Sequence, residues 1–404
     1  MFKKLTAMLL VFVLTVTLSS CYFMKKKDAA DAAQNDASVR TPVVSEEVTV
    51  GDKKVAILVP AGSQFNEGMM AAKKLQTMYP NNVIVKEYSN SNNLSDNREN
   101  SLIKVSEEVA SDTSVGAVVY AKSTRLTNEA ITAAKALNPD IRVICVEPEV
   151  SMDKLAEKSD LVLCTDWSSA AADIVACAKA QGAEYFVMTS FDRHISGLTS
   201  DSTSLLNATA KSAISSECEK QEITFVYHNA PDPISSGGTN AVVKDIRESI
   251  VRYKEEGKIN GENVAIFSTD YFIQSEIIKI ANENKYIYVG PSSPTPYNGV
   301  CDVYSTALPE NPYDTANYKA ALAKAATGNA RFCFYNYPLE TVLLTGAVHT
   351  AFDMIAGKTT KDNLEQRVTL RLKDAAADDK FTVIHFGGTE NVYSAYCPAF
   401  EALK

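Results

Sequence analysis

The chain has 404 residues, of which 46% are hydrophobic and 22% are charged, and its formal net charge is −9 at pH 7. This length suits two or three domains, and the composition is that of a globular protein. The acidic balance and the dispersed basic residues argue against nucleic acid or an anionic lipid surface as the main partner.

The first 20 residues form a predicted export signal. Lys3 and Lys4 precede an apolar run over residues 5–18, which is shorter than the roughly 20 residues that a spanning helix needs. Residues 18–21, Leu-Ser-Ser-Cys, resemble the lipobox of bacterial lipoproteins. The resemblance implies that Cys21 receives lipid, including palmitate, and anchors the exported chain to the cell membrane or in the periplasm. An ordinary transmembrane anchor is the alternative.

Residues 21–51 are predicted to be a lipidated, flexible tether. They are rich in Ala, Asp, Ser, Lys and Glu. A segment of this composition cannot bury enough apolar surface to fold by itself.

From residue 53 onwards, short apolar runs alternate with amphipathic helical segments. The strands predicted in the first half are 55–59, 83–88, 115–120, 141–146 and 161–164. Those predicted in the second half are 185–189, 223–228, 264–268 and 286–290, before helices at 314–326 and 339–356 and a late strand at 381–385. Continuous apolar strands that alternate with helices predict parallel sheets covered on both faces.

The predicted fold class is α/β, with two doubly wound, Rossmann-like lobes joined by a hinge. One open sheet of about ten strands would be unusually wide, which favours two lobes. The N-terminal lobe is predicted to comprise residues 52–183 and part of 338–404, and the C-terminal lobe residues 184–337. The late helix and strand are expected to return to the first lobe.

A ligand site is expected at the carboxyl ends of the strands, where open α/β sheets bind their ligands. The segments that follow the strands are polar and repeatedly aromatic, which suits a small polar ligand with a flat face, such as a nucleoside or a sugar. The candidate binding residues are Ser63, Gln64, Phe65, Tyr120, Glu147, Asp166, Trp167, Asp192, Arg193, His194, Asp232 and Asp270.

Several of these residues have a second, purely structural interpretation. Asp166 and Asp270 are placed to cap the helices that follow them, and Trp167 is equally compatible with the core. Arg193 and His194 form a cationic pair that either holds a ligand carboxylate or phosphate or pairs with neighbouring aspartates. No metal-ligand spacing joins the four histidines, and no cofactor motif is present.

Three segments carry a family resemblance: Ser-Phe-Asp-Arg-His at 190–194, Ala-Pro-Asp-Pro at 230–233 and Phe-Ser-Thr-Asp at 267–270, with a weaker fourth at 291–294. With the export signal and the two-lobed pattern, the chain resembles a family of bacterial lipoproteins in the type I periplasmic-binding-protein superfamily over residues 53–395. The neighbouring basic-membrane-protein group takes up purine nucleosides.

The resemblance implies a monomer that closes around a solute and delivers it to the permease of an ABC importer. A ligand-sensing lipoprotein that signals to a membrane partner is the alternative. An enzyme is not expected, because the sequence has no nucleophile elbow, P-loop or metal cluster, although Glu147 and Asp166 could form a carboxylate pair.

Overall fold

The structure is a computed structural model. It describes residues 42–46, 50–62, 66–89, 100–124, 126–195, 205–233, 235–270, 272–290, 297, 299–326, 331–386 and 389–403. All of them belong to one of the two units into which the chain divides, residues 41–404. The other unit, residues 1–40, contains Cys21 and the predicted signal and lies outside the described residues. Along the described part of the chain, no helix is long and apolar enough to cross a membrane.

The described chain begins with five β-α units, whose strands form the sheet of the first lobe. Continuous apolar runs form its strands, and residues 55–60 of the first strand are buried, as expected for a sheet covered on both faces. The strands are β1 (Lys54–Pro60), β2 (Val83–Tyr88), β3 (Val115–Tyr120), β4 (Arg142–Val146) and β5 (Leu161–Thr165). The helices are α1 (Asn66–Met78), α2 (Asn100–Ser111), α3 (Thr127–Leu137), α4 (Met152–Ala156) and α5 (Trp167–Ala180).

The second lobe repeats this pattern. Its strands are β6 (Tyr185–Ser190), β7 (Thr224–Asn229), β8 (Val264–Ser268), β9 (Ile287–Gly290) and β10 (Arg331–Tyr335). Its helices are α6 (Asp192–Ile195), α7 (Leu205–Lys220), α8 (Gly238–Glu255), α9 (Gln274–Asn284), α10 (Val300–Tyr304) and α11 (Ala316–Ala326). The sequence patterns did not predict β10. The four residues before it, 327–330, lie outside the described residues.

The C-terminal part of the chain serves both lobes. It comprises α12 (Leu339–Ile355), a 3-10 turn (Lys361–Asn363), α13 (Leu364–Ala376), β11 (Thr382–His385), β12 (Val392–Tyr396) and β13 (Phe400–Leu403). The first sheet has the order β2-β1-β3-β4-β5-β12-β11, and the second β7-β6-β8-β9-β10-β13. The pairs β11–β12 and β10–β13 are antiparallel, and the other pairs are parallel. The two doubly wound α/β lobes predicted from the sequence are thus confirmed.

The chain crosses between the sheets three times: after β5, after β10 and after β12. The predicted lobe boundary at residue 183 needs correction, because α5 already packs on β9, β10, β13 and α7 of the second lobe. The chain therefore leaves the first lobe after Thr165. After the second crossing, α12 packs against β1, β3, β4 and β5, and residues 339–354 are all buried, which explains why most residues of this helix are apolar.

The third crossing is held by a single carboxylate on α5. Oδ2 of Asp173 accepts hydrogen bonds from the Tyr396 hydroxyl (3.0 Å), the Ala399 amide (2.8 Å) and the Phe400 amide (2.9 Å). The Tyr335 hydroxyl donates to the Cys397 carbonyl at 3.0 Å, and the rings of Tyr335 and Tyr396 stack with centroids 5.7 Å apart. This arrangement fixes the chain between the last strand of one sheet and the last strand of the other.

A buried ion network joins α12 to α13. The Asp353 carboxylate accepts two hydrogen bonds from the Arg371 guanidinium, both at 2.8 Å, and two from Arg367, and the side chains of Asp353 and Arg371 are fully buried. Arg367 also donates to the Glu46 carboxylate, and Arg371 to the Glu46 carbonyl.

Helix α13 also binds the segment through which the chain enters the first lobe. Both the amide and the hydroxyl of Ser45 donate to the Asp374 carboxylate, and the Val43 amide donates to the Asp374 carbonyl. Residues 43–46 were predicted to belong to a flexible tether that ends at residue 51. The structure corrects that boundary, because these residues are bonded to α13.

We expect Asp353→Asn to destabilise the fold by about 3–5 kcal/mol, because it removes the closest anionic partner of the buried Arg371 charge and leaves only the Asp374 carboxylate, 3.4 Å away. Urea denaturation measures the change. The matched control is Glu283→Gln, which breaks the exposed Arg247–Glu283 pair and is expected to cost about 0–1 kcal/mol. Equal effects of the two substitutions would show that the network does not stabilise the first lobe.

Candidate functional site

From the three crossings we infer a cleft between the lobes. Strands β5 and β12 of the first sheet and β10 of the second all lead into a crossing at their carboxyl ends. The start of β13 pairs with the end of β10, because Phe400 lies opposite Tyr335. The carboxyl edges of both sheets therefore adjoin the hinge and face each other across it. This is where open α/β sheets bind ligands.

Two buried glutamates occupy the first-lobe side of this cleft. Glu67, the second residue of α1, accepts hydrogen bonds on Oε1 from the Thr341 amide (3.0 Å) and hydroxyl (3.1 Å) at the start of α12. Glu340, the second residue of α12, reaches back to α1, where a Cβ atom on Gly68 would lie 2.9 Å from its Oε1. Each helix thus presents a carboxyl group to the amino end of the other, where the helix dipole favours negative charge.

Within the described part of the chain, only one of the two carboxyl groups accepts hydrogen bonds. Glu340 is nine-tenths buried, and among the described residues it has no hydrogen-bond or ion-pair partner. Burial raises the pKa of Glu340 to about 7, an effect that the nearby Lys122 opposes and that Glu147 and Glu149 reinforce. Burial and the neighbouring Glu340 raise the pKa of Glu67 as well.

The loops after β3 and β4 add three more charged groups. Lys122 is buried, and its Nζ lies 3.9 Å from Oε1 of Glu149, which is about half exposed. The predicted site residue Glu147 is also buried, and its Oε1 accepts a hydrogen bond of 2.7 Å from the Thr165 hydroxyl. Glu147 has a φ of 43°, in the left-handed region that is unusual for a residue other than glycine. Such strained positions cluster at binding and catalytic sites.

The structure gives the other predicted residues of the first lobe different positions. Tyr120 is fully buried and donates to the Ser106 hydroxyl on α2, so it lies in the core rather than at the cleft. Asp166 caps α5, where it accepts hydrogen bonds from the amides of residues 168 and 169. Trp167 begins that helix beside the first crossing and is 7% exposed, packed on the core.

Two predicted residues of the second lobe, Asp192 and His194, lie at an edge that also carries the hydroxyls of Ser190 and Thr269. The hydroxyls of Ser190 and Thr269 lie 2.6 Å apart, and Nδ1 of His194 is 3.1 Å from the same Thr269 oxygen. The His194 ring packs on Phe191 with centroids 4.0 Å apart, and the Asp192 carboxylate accepts a hydrogen bond from the side chain of residue 229. Three strand ends are thereby linked at one edge.

Two further predicted aspartates lie on this lobe. Asp270 is buried and accepts a hydrogen bond of 2.7 Å from the Phe272 amide, as expected of a residue that caps the turn before α9. Asp232 is half-buried, and its carbonyl accepts the Ser235 amide. Ser63, Gln64, Phe65 and the Arg193 side chain lie outside the described residues, so their roles stay predictions.

The sequence patterns missed Glu67, Lys122 and Glu340 as site residues. Lys122 and Glu149 fall in strand-end segments that were identified, but neither was chosen. Glu340 had one available signal, which is an acid in the first turn of a mostly apolar helix. No metal site adds to these groups, because the described residues contain no cluster of three His, Cys, Asp or Glu that could hold an ion.

Comparisons with known proteins agree with the two-lobed fold. A family model described as "Protein of unknown function (DUF3798)" matches residues 53–331. Two proteins of Treponema pallidum (strain Nichols), both described as uncharacterized, are each 24% identical to the chain. One alignment covers 37% of this chain and 67% of the relative, and the other covers 46% and 82%.

Two solved structures are similar over most of the chain. A putative transcriptional regulator from Clostridium difficile 630 has a TM-score of 0.62 at 18% identity, covering 88% of this chain and 99% of its own. A periplasmic ribose ABC transporter from Conexibacter woesei DSM 14684 has a TM-score of 0.51 at 14% identity, covering 78% and 89%. At these identities the likeness shows the fold alone, and it confirms the predicted type I periplasmic-binding-protein fold.

We expect Glu340→Gln to make the protein more stable at pH 8 and to change little at pH 4.5. The folded state holds a proton on Glu340 that the unfolded state releases above its ordinary pKa of 4.5, so stability falls as pH rises from 4.5 through about 7. The rise in the pKa of Glu340 corresponds to a loss of about 3 kcal/mol in the free energy of unfolding at pH 8.

Urea denaturation at the two pH values measures this difference. Glu248→Gln, on the exposed surface of α8, is the control and should leave the pH dependence unchanged. If Glu340→Gln has the same effect at both pH values, the carboxyl group does not titrate near neutrality.

Proposed function

We propose that this chain, which belongs to the DUF3798 family, is a membrane-anchored lipoprotein that captures a small polar solute between its two lobes, for delivery to an ABC importer. The observation that carries the proposal is the position of the three chain crossings at the carboxyl ends of the strands. Three chain crossings bring two strand-end edges together, and one edge carries a buried carboxyl group without a partner among the described residues. Concave sites with a few polar groups are typical of small-molecule capture.

Capture would proceed by hinge closure. The lobes open and close about the three crossings, and the solute favours the closed state because it contacts both edges at once. The relative described as a periplasmic ribose ABC transporter has this fold, which supports a sugar as one solute class. The resemblance to the basic-membrane-protein group supports a nucleoside as another. A captured solute is released unchanged, so no turnover is expected.

Sensing is the second candidate function. The similar structure described as a putative transcriptional regulator shows that the same fold also occurs in a protein given a regulatory role. In this alternative, closure would be transmitted to a membrane partner rather than to a permease. Neighbouring genes for a permease and an ATPase would favour uptake, and a neighbouring kinase gene would favour sensing.

A bound solute should compact the molecule and change the emission of Trp167. This is the single tryptophan of the chain, and it lies beside the first crossing. Purified protein is screened with nucleosides and sugars by thermal shift, and binders are then measured by small-angle scattering. A solute at a hundred times its dissociation constant should stabilise the fold by about 2.7 kcal/mol.

The control for the optical signal is Trp167→Phe, which should abolish the emission change and retain the compaction. A tight binder that stabilises the protein without reducing its radius of gyration would falsify hinge closure.

The anchor is tested on cells that express the full-length chain. Cys21→Ala should abolish incorporation of labelled palmitate and release the protein from the membrane fraction. Cys301→Ala is the matched control, because Cys301 is half-buried whereas the other six described cysteines are buried. Unchanged labelling of Cys21→Ala would exclude lipidation at this residue.

A further inference from the structure

We propose that the Glu340 carboxyl group recognises a protonated primary amine on the captured solute. The inference rests on the proposed solute capture and names the chemical class of the ligand. It makes Glu340 a specificity-determining residue of the cleft.

The position of Glu340 is the first argument. Its carboxyl group lies at the amino end of α1, against Gly68, on the strand-end edge that faces the second lobe. The neighbouring Glu67 is engaged by the amide and hydroxyl of Thr341, whereas the described protein gives Glu340 no donor. A buried carboxylate without a partner is costly, and an ammonium group that donates hydrogen bonds to it would remove that cost.

The balance of charge is the second argument. The groups around Glu340 are Glu67 from α1, Lys122 from the loop after β3, and Glu147 and Glu149 from the loop after β4. Among the described residues, these neighbours and Glu340 comprise four carboxyl groups and one ammonium group, and Lys122 has an ion-pair partner in Glu149. A solute that brings a positive charge corrects this imbalance, and a neutral polyol does not.

Proton linkage follows from the same geometry. An ammonium group requires the ionised form of Glu340, whose pKa is raised to about 7 in the protein without ligand. Primary alkyl amines stay protonated up to about pH 9, because their pKa is near that of lysine. Affinity for an amine should therefore rise with pH between 5.5 and 8, while affinity for a neutral solute should not.

Matched pairs of probes test the proposal on the complete mature protein. The pairs are 6-amino-6-deoxy-D-glucose with D-glucose, 5′-amino-5′-deoxyadenosine with adenosine, and putrescine with 1,4-butanediol. In at least one pair the amine should bind at least about tenfold more tightly than its neutral partner at pH 8, as measured by calorimetry. Its affinity should weaken roughly 30-fold at pH 5.5, because the ionised fraction of Glu340 falls by about that factor between pH 8 and pH 5.5.

Three variants separate recognition from folding. Glu340→Gln should abolish both the preference for the amine and its pH dependence, whereas Glu340→Asp, which keeps the carboxyl group, should retain the preference in part. Glu248→Gln, on the surface of α8, should behave as the wild type. Thermal unfolding of each variant verifies that it is folded.

The outcomes distinguish this inference from the capture function. A neutral probe that binds as tightly as its amine partner overturns amine recognition and leaves solute capture intact. The same holds if Glu340→Gln retains the preference, because another group then recognises the amine. If no member of any pair binds, both amine recognition and capture of these solute classes are contradicted.

Discussion

The relative placement of the two lobes depends on the Asp173 carboxylate. One of its oxygens accepts three hydrogen bonds from the chain that links β12 to β13. Three residues separate these strands, yet the strands belong to different sheets. Because this link is short, few conformations are available to it. Its hydrogen bonds to the carboxylate on α5 therefore determine where the chain leaves the first sheet and joins the second. The aromatic rings of Tyr335 and Tyr396 pack around the same point and keep water away from it.

The hinge also determines which polar group lies in the cleft. The second crossing leads directly into α12, whose first sixteen residues are buried between the first sheet and its neighbouring helices. Burial of this apolar helix positions Glu340, since the carboxyl group makes no bond of its own within the described residues. Gly68 then permits the close approach to α1, because a side chain there would meet the carboxyl oxygen. Packing therefore brings a polar group to a place that its own interactions would not favour.

The sequence predicted what depends on local patterns and missed what depends on distant contacts. Continuous apolar runs located β1 to β9, and two lobes followed from their number. Strands β10, β12 and β13 escaped detection, and β12 and β13 acquire their sheets by pairing with β5 and β10, which lie far along the chain. Tyr120 was chosen as a strand-end residue, but the alternation of a strand turns its ring towards α2. The pairing of Glu67 with Thr341 spans 274 residues, and no local pattern reports such a contact.

A carboxyl group kept buried without a partner weakens the protein that carries it, and a purely structural position would favour an amide or an apolar side chain. The arrangement is explained if the unpaired carboxylate destabilises the protein only in the absence of ligand, and the bound solute removes this destabilisation. A solute shifts the equilibrium between open and closed lobes only by the difference in its affinity for the two states. In the proposed closure, a charge that is unsatisfied until the ligand arrives, on an edge that the second lobe would cover, would supply such a difference. The destabilisation of the ligand-free protein by Glu340 and the selectivity of the cleft then have one physical origin, which is the desolvation of a single carboxylate.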